Sequence, residues 1–370
     1  MRRSDPTRIR ATLLAILPTL VLMGGQAQAK PVDADVIPDD VLKAEAERKK
    51  AEEEAAKDPK DPKAKKKPAK PKEGWIPALK AGFNFAFSQN QGVVGIPDGV
   101  TLALGLNVQG DLIYRKRTHE WVSKLVILHT QTKIPNIDPF IKAADTFELS
   151  TLYQYRFPKI SWLGLFAGIR LQSALLPGSV VRDTDIAVSV KELDGTFLDT
   201  NITAQKAFRL TGPFSPLFFK QFAGALAKPL MRPWMNIDIK LGIGAVEVWT
   251  TEGLVVTDDA ATADVLEMSR LQDYVQGGVE LQIGINGVLA NKLLTYGFYA
   301  EVMYPFAHNA ETDLEGAELL NTEFRFTLGI KLFSWASLNY SLNVLRVPLI
   351  VDKWQVTNNL MLSITANLVK

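Results

Sequence analysis

Thr101–Arg115 reads TLALGLNVQGDLIYR, and its parity decides the fold. Leu102, Leu104, Leu106, Val108, Leu112 and Tyr114 take the even positions, while Thr101, Gly105, Asn107, Gln109, Asp111 and Arg115 take odd ones. Successive side chains of a strand point to opposite faces, so this period gives one apolar and one polar face. A soluble sheet is served by strands of about 5–6 residues, whereas a tilted strand crossing a bilayer needs 9–11 or more. This run is of the second length.

The pattern recurs. Phe83, Phe85 and Phe87 alternate with Gly82, Asn84 and Ser88, and Phe147, Leu149, Tyr153 and Tyr155 with Glu148, Ser150, Gln154 and Arg156. Val275, Val279, Leu281, Ile283 and Ile285 alternate with Gln276, Glu280, Gln282 and Asn286, and Phe324, Phe326, Leu328 and Ile330 with Glu323, Arg325, Thr327 and Lys331. Stretches 121–131 and 220–228 alternate less cleanly. Twelve strands are predicted, over 80–89, 100–116, 120–133, 144–157, 162–175, 218–229, 235–250, 271–287, 293–306, 322–333, 336–347 and 356–369. The links between them alternate too. Those at 117–119, 158–161, 229–234, 287–292 and 334–335 are short, whereas 90–99, 134–143, 176–217, 251–270, 307–321 and 348–355 are longer. Short periplasmic turns opposite long outer loops are the habit of outer-membrane barrels, and an even strand count leaves both termini periplasmic. Trp75, Trp121, Trp162, Trp234 and Trp335 fall where short turns meet strands, with Trp249 and Trp354 at long-loop ends. An indole prefers the membrane–water boundary, so these seven are the expected interface girdle. The expectation is an all-β chain: one up-and-down antiparallel transmembrane barrel over 74–370, porin-like, in a Gram-negative outer membrane.

Two other segments precede it. Residues 1–29 combine Arg2, Arg3, Arg8 and Arg10 with the apolar run ATLLAILPTLVLM (11–23) and a small-x-small Ala27-Gln28-Ala29, which is the grammar of a secretory signal peptide. Residues 30–73 form a charged segment, with 12 Lys or Arg and 8 Asp or Glu in its last 33 residues. Helix-supporting pairs such as Lys43/Glu47 and Glu53/Lys57 give way to Pro59, Pro62, Pro68 and Pro71, which favour extended chain. The chain has no cysteine, so neither disulfides nor a thiolate site are available. The 74–370 region carries 25 basic and 27 acidic residues, and that balance argues against nucleic acid.

Further residues carry a family resemblance. His119-Glu120-Trp121, Phe147-Glu148-Leu149-Ser150 with Tyr153-Gln154-Tyr155, Trp162 through Pro177-Gly178, and Trp335-Ala336-Ser337-Leu338 resemble an uncharacterised outer-membrane barrel family, domain-of-unknown-function family 3078. The resemblance implies a barrel and no activity. Barrels of this kind commonly end in an aromatic residue, whereas this chain ends Leu368-Val369-Lys370.

Little chemistry is expected. His119, His129 and His308 have no serine or aspartate at triad spacing, so no catalytic residue and no cofactor are assigned. Asp183 with Asp185, and Asp258-Asp259 with Asp264, sit in predicted outer loops without calcium-loop spacing, and no metal is assigned. The inward parity carries Asp111, Lys124, Glu148, Arg156, Arg170, Asp238, Lys240, Glu280, Glu301, Glu323, Arg325 and Lys331. Such mixed charge either lines a narrow wet pore or pairs into a plug.

A passive or gated small-solute pore is the leading expectation. The alternative is a structural or assembly protein whose barrel anchors the arm, and an outer-membrane enzyme comes third. Expected partners are outer-membrane lipid and lipopolysaccharide, the barrel-assembly machinery, and the cell wall or another anionic envelope partner contacted by the basic stretch Pro59–Lys72. That contact should weaken with salt. Deleting 31–72 should then leave the barrel heat-modifiable on a gel but abolish salt-sensitive co-sedimentation with purified cell wall; unchanged sedimentation would reduce the arm to a spacer.

Overall fold

The computed structural model describes residues 73–91, 99–257, 262 and 264–369. The signal-peptide and arm expectations, and Asp258 and Asp259, lie outside these residues. Eighteen strands run in chain order: β1 (Gly74–Asn90), β2 (Gly99–Lys116), β3 (His119–Lys133), β4 (Ile141–Arg156), β5 (Leu163–Ser173), β6 (Gly178–Val180), β7 (Ile186–Lys191), β8 (Phe197–Ile202), β9 (Phe208–Thr211), β10 (Leu217–Arg232), β11 (Met235–Trp249), β12 (Leu254–Val256), β13 (Val265–Arg270), β14 (Tyr274–Leu289), β15 (Leu294–His308), β16 (Asn321–Lys331), β17 (Ala336–Val347) and β18 (Val351–Val369). Twelve of them close a barrel in the order β1-β18-β17-β16-β15-β14-β11-β10-β5-β4-β3-β2, each pair antiparallel.

These are the twelve strands expected, with corrected ends. β1 begins at Gly74, because Trp75–Leu79 pairs along β2 in spite of Pro77. Pro77 is tolerated there since β1 has β18 as a second neighbour only from Leu79 onward. β18 begins at Val351, so the expected 348–355 link shrinks to a tight turn. A larger correction concerns the long links expected as plain loops over 176–217 and 251–270. They contain six short strands, forming a four-stranded sheet β12-β13-β7-β8 and a β6-β9 pair. β13 and β7 run parallel. Val188, Val190, Ile202, Leu210, Leu266 and Met268 bury against one another to give this cap its own small core.

The two strand faces divide as the parity requires. Outward residues such as Phe83, Leu241, Ile243, Val279 and Leu360 are exposed, Ile243 to 63%. No helix among the described residues is long and apolar enough to cross a membrane. A closed barrel does so with strands, satisfying every backbone group between them, and an apolar belt this broad is stable only against lipid. Inward residues such as Gln276, Glu280, Gln282, Glu323 and Arg325 are buried. Thr327 is among them, and its hydroxyl faces the Gly297 carbonyl at 3.5 Å. The lumen at that level is therefore packed rather than wet, so an arginine in place of Thr327 would be crowded, not harmlessly hydrated. On the opposite face Leu328 keeps its outward parity between Tyr296 and Tyr340.

Replacing Ile243 by Arg should destabilise the barrel in lipid vesicles by about 2–4 kcal/mol, because a charge on the lipid face near mid-strand has no partner. Urea unfolding followed by loss of heat-modifiable gel mobility measures it; a change within error of wild type would remove Ile243 from the lipid face.

Candidate functional site

Arg170 stands on β5 and Glu301 on β15, with β10, β11 and β14 between them along the wall. Their side chains nevertheless meet, Nη1 to Oε2 at 3.4 Å. A contact between strands that far apart crosses the lumen.

The crossing has an electrostatic cause. Arg170 and Lys220 face each other directly across the β5–β10 ladder, and Glu301 and Glu323 do so across β15–β16. Like charges directly opposite repel. Each pair finds relief in the other. Lys220 bonds Glu301 and Glu280, the latter at 2.8 Å, and Arg170 approaches Glu148 of β4 at 3.9 Å. The Tyr299 hydroxyl donates to Glu301 and accepts from Arg170 at 3.3 Å. Arg325 reaches Glu323 at 2.8 Å and lies 5.4 Å from the Tyr299 ring centroid, within cation–π range. Gln282 donates to Glu280. The result is a belt of charge across the barrel interior.

Toward the short turns an apolar cluster occupies part of the lumen, beside the buried Asp238 and Lys240. Phe166 and Phe222 rings lie 5.9 Å apart, with Leu226 and Leu152 packed against them. Gly168 is required here: a Cβ at this position would lie 2.7 Å from Cζ of Phe222, its cross-strand partner. Toward the long loops the belt is instead the floor of a vestibule of about 890 Å³. Arg170, Lys220, Glu301 and Glu323 line its floor, while Val246, Tyr274, Met303 and Leu345 belong to its walls. Arg182, Leu210, Leu254 and Val256 contribute from the cap. Leu319 and Leu349 fold in from two loops onto Val246, Val248 and Tyr274, narrowing the mouth.

The inward charges read from parity thus divide among separate places. Glu148, Arg170, Glu280, Glu301, Glu323 and Arg325 make the belt. Asp111 and Lys124 are cross-strand partners on β2 and β3. Arg156 joins Glu120 at 3.7 Å, beside Arg115, at the short-turn end. Asp238 holds Lys240 and, at 3.6 Å, Lys228. Lys331 is exposed at the end of β16. The seven tryptophans are all exposed, and Trp75 lies 4.9 Å from the Tyr114 ring near the short turns. Parity reading missed Lys220 and Tyr299. Tyr299 shares parity with Glu301 and was legible from it; Lys220 sits in the irregular 220–228 stretch and became clear only through its pairing with Arg170.

A second polar cluster sits at the long-loop rim. His129 and Asp145 stand 3.5 Å apart, but Asp145 also takes Lys142 at 3.2 Å and the Leu176 backbone N–H at 2.7 Å. These contacts tie the rim to the loop after β5. Asp185 is likewise used structurally, accepting the Ala204 N–H at 2.7 Å. Among the described residues no group of three or more acidic or histidine side chains is placed to hold a metal.

No protein-family model and no curated protein matches the chain. Solved structures do. The likenesses are to membrane barrels. An outer-membrane channel from Pseudomonas putida F1 is 9% identical, covering 81% of this chain and 97% of that one at a TM-score of 0.35. The autotransporter NalP translocator domain from Neisseria meningitidis is 10% identical, covering 88% and 97% at 0.33. Pseudomonas aeruginosa OccK5 is 10% identical, covering 80% and 98% at 0.24. At such scores none of these carries an argument about this chain, whose barrel stands on its own closed strand ladder. The resemblance to the uncharacterised family rests on the quoted residues alone.

Within the cap Arg270, at the end of β13, grips Glu192, just after β7, through Nε–Oε2 at 2.8 Å and Nη2–Oε1 at 2.6 Å. That hydrogen bond holds the Glu192 carboxyl below its ordinary value and raises Arg270. A depressed carboxyl stabilises the fold above its unfolded pKa, and the contribution is lost as pH falls through the folded value. Amide protection of β7 and β13 should therefore hold near neutrality and drop below the ordinary carboxylate range. Glu192→Gln should remove that pH dependence in hydrogen-exchange measurements; an unchanged profile would show that the pair does not hold the cap.

Proposed function

We propose that this protein is an outer-membrane pore for small solutes that rests closed, with the Arg170–Glu301 contact as its gate. The observation that carries this reading is the 3.4 Å ion pair across the lumen, joining strands that have three others between them. Solute reaching the vestibule meets paired charges, not a static apolar wall. Paired charges of both signs can exchange partners within the belt: Arg170 has Glu148 as a second acceptor and Lys220 has Glu280. Such an exchange withdraws the bridge while Glu301 keeps the Tyr299 hydroxyl and, at 3.5 Å, the Gln282 amide as donors, which lowers the cost of opening. In this reading the short-turn end, where Gly74 and Val369 lie, faces the periplasm.

The alternative, a barrel that chiefly anchors the arm, draws support from Phe166, Phe222 and Leu226, which pack together and narrow the lumen below the belt. Planar-bilayer recording separates the two. Wild-type protein should open rarely, and Arg170→Ala combined with Glu301→Ala, which removes one charge of each sign, should raise open probability about tenfold, or about 1.4 kcal/mol. Silence from both proteins, with correct heat-modifiable folding, would reject the pore and leave the anchor.

A further inference from the structure

Five short turns join β2 to β3, β4 to β5, β10 to β11, β14 to β15 and β16 to β17. They carry Lys116 and Arg117, Lys159, Arg232, Lys292 and Lys331, all exposed. None of the five holds an acidic residue. The segments 174–216, 250–273 and 309–320, which join strands at the opposite end, have the reverse composition: fifteen acids to five bases. A surface serving only solubility intersperses the two signs. Here they are sorted to opposite ends of the barrel.

Acids do occur near the short turns, and they are taken by other groups. Glu120 lies 3.4 Å from Arg115 and 3.7 Å from Arg156, and Asp238 lies 3.6 Å from Lys228 and also holds Lys240. Glu73 accepts the Arg117 backbone N–H at 3.3 Å. Among the described residues none of the six turn cations forms an ion pair. Their positions are nevertheless fixed, because backbone bonds tie each turn to the next strand pair. Arg156 donates to Thr118 at 2.9 Å, Lys228 to Trp162 at 2.6 Å, Val288 to Pro233 at 2.9 Å and Lys331 to Leu293 at 2.8 Å. The turns therefore form one continuous arc of unpaired positive charge.

What flanks the cations identifies what they face. Trp162 follows Lys159, Trp234 follows Arg232, Leu293 follows Lys292 and Trp335 follows Lys331, and all four are exposed. An exposed indole marks the level where hydrocarbon gives way to head groups. Cations within a few residues of that level stand at the depth of lipid phosphates, and basic clusters there attract anionic lipid.

We propose that the short-turn rim binds anionic glycerophospholipids, with its cations on the phosphodiester groups and its indoles at the glycerol level. The barrel must sit in a membrane for this but need not conduct, so the rim stands apart from the gate.

The test places full-length protein in phosphatidylcholine vesicles and titrates in phosphatidylglycerol or phosphatidylcholine brominated in the acyl chains. Trp249→Phe and Trp354→Phe remove the two loop-side indoles, so tryptophan quenching reports the short-turn end. Brominated phosphatidylglycerol should bind about fivefold tighter than its zwitterionic counterpart, and about 0.5 M salt should shrink that ratio toward one. Lys159→Gln combined with Arg232→Gln, Lys292→Gln and Lys331→Gln should abolish the preference at low salt, with wild-type heat-modifiable mobility. Lys191→Gln with Lys206→Gln, on the loop side, should leave it intact. Equal quenching by the two lipids before any charge is removed, or a preference that outlives the four substitutions, would overturn the proposal. So would loss of the preference to glycerol phosphate in solution at the concentration of the lipid, which would assign the cations to a free anion.

Discussion

The Arg170–Glu301 bridge is the constraint on which the interior is organised. A twelve-stranded barrel is too wide for every inward side chain to reach its opposite number, and too narrow to be a wide aqueous channel. Taking charge out of water costs several kcal/mol per ion unless partners are close and well placed. Here two adjacent cations on one wall, Arg170 and Lys220, are matched by two adjacent acids on the other, Glu301 and Glu323. Neither wall is stable with its own charges alone. Each therefore needs the other, and the long side chains span the gap between them. Tyr299 belongs to the same device, since its ring receives Arg325 and its hydroxyl joins Arg170 to Glu301.

Everything above and below the belt depends on where it sits. Below it, Phe166, Phe222 and Leu226 fill part of the width, with Gly168 leaving room for a ring, while Asp238 pairs with Lys240 and Lys228 beside them. Above it, the barrel cannot be filled by wall residues alone. Loops supply the roof instead: Leu319 and Leu349 drop onto Val246, Val248 and Tyr274, and the β-rich cap closes over them. The cap keeps its place with its own core, centred on Val188, Ile202 and Leu266. A cap with a core is a small folded unit rather than a drape of loop.

The barrel was legible in the sequence because its signal is redundant. One strand such as Thr101–Arg115 is suggestive, but a dozen of the same length, with turns short on one side, leave few alternatives. Parity alone then sorted lipid from lumen, placing Glu280, Glu301, Glu323 and Arg325 inside. What parity cannot supply is distance along the circumference. Nothing in the spacing of Arg170 and Glu301 announces that they touch, because their meeting depends on closure of the whole sheet. The cap was missed for a different reason. Ile186, Val188 and Val190 do alternate with Ala187, Ser189 and Lys191, but a strand of six residues inside a segment of some forty reads as ordinary loop beside strands of fifteen. Lys220 was lost to the local irregularity of its strand, where a register shift falls between Ala227 and Leu230.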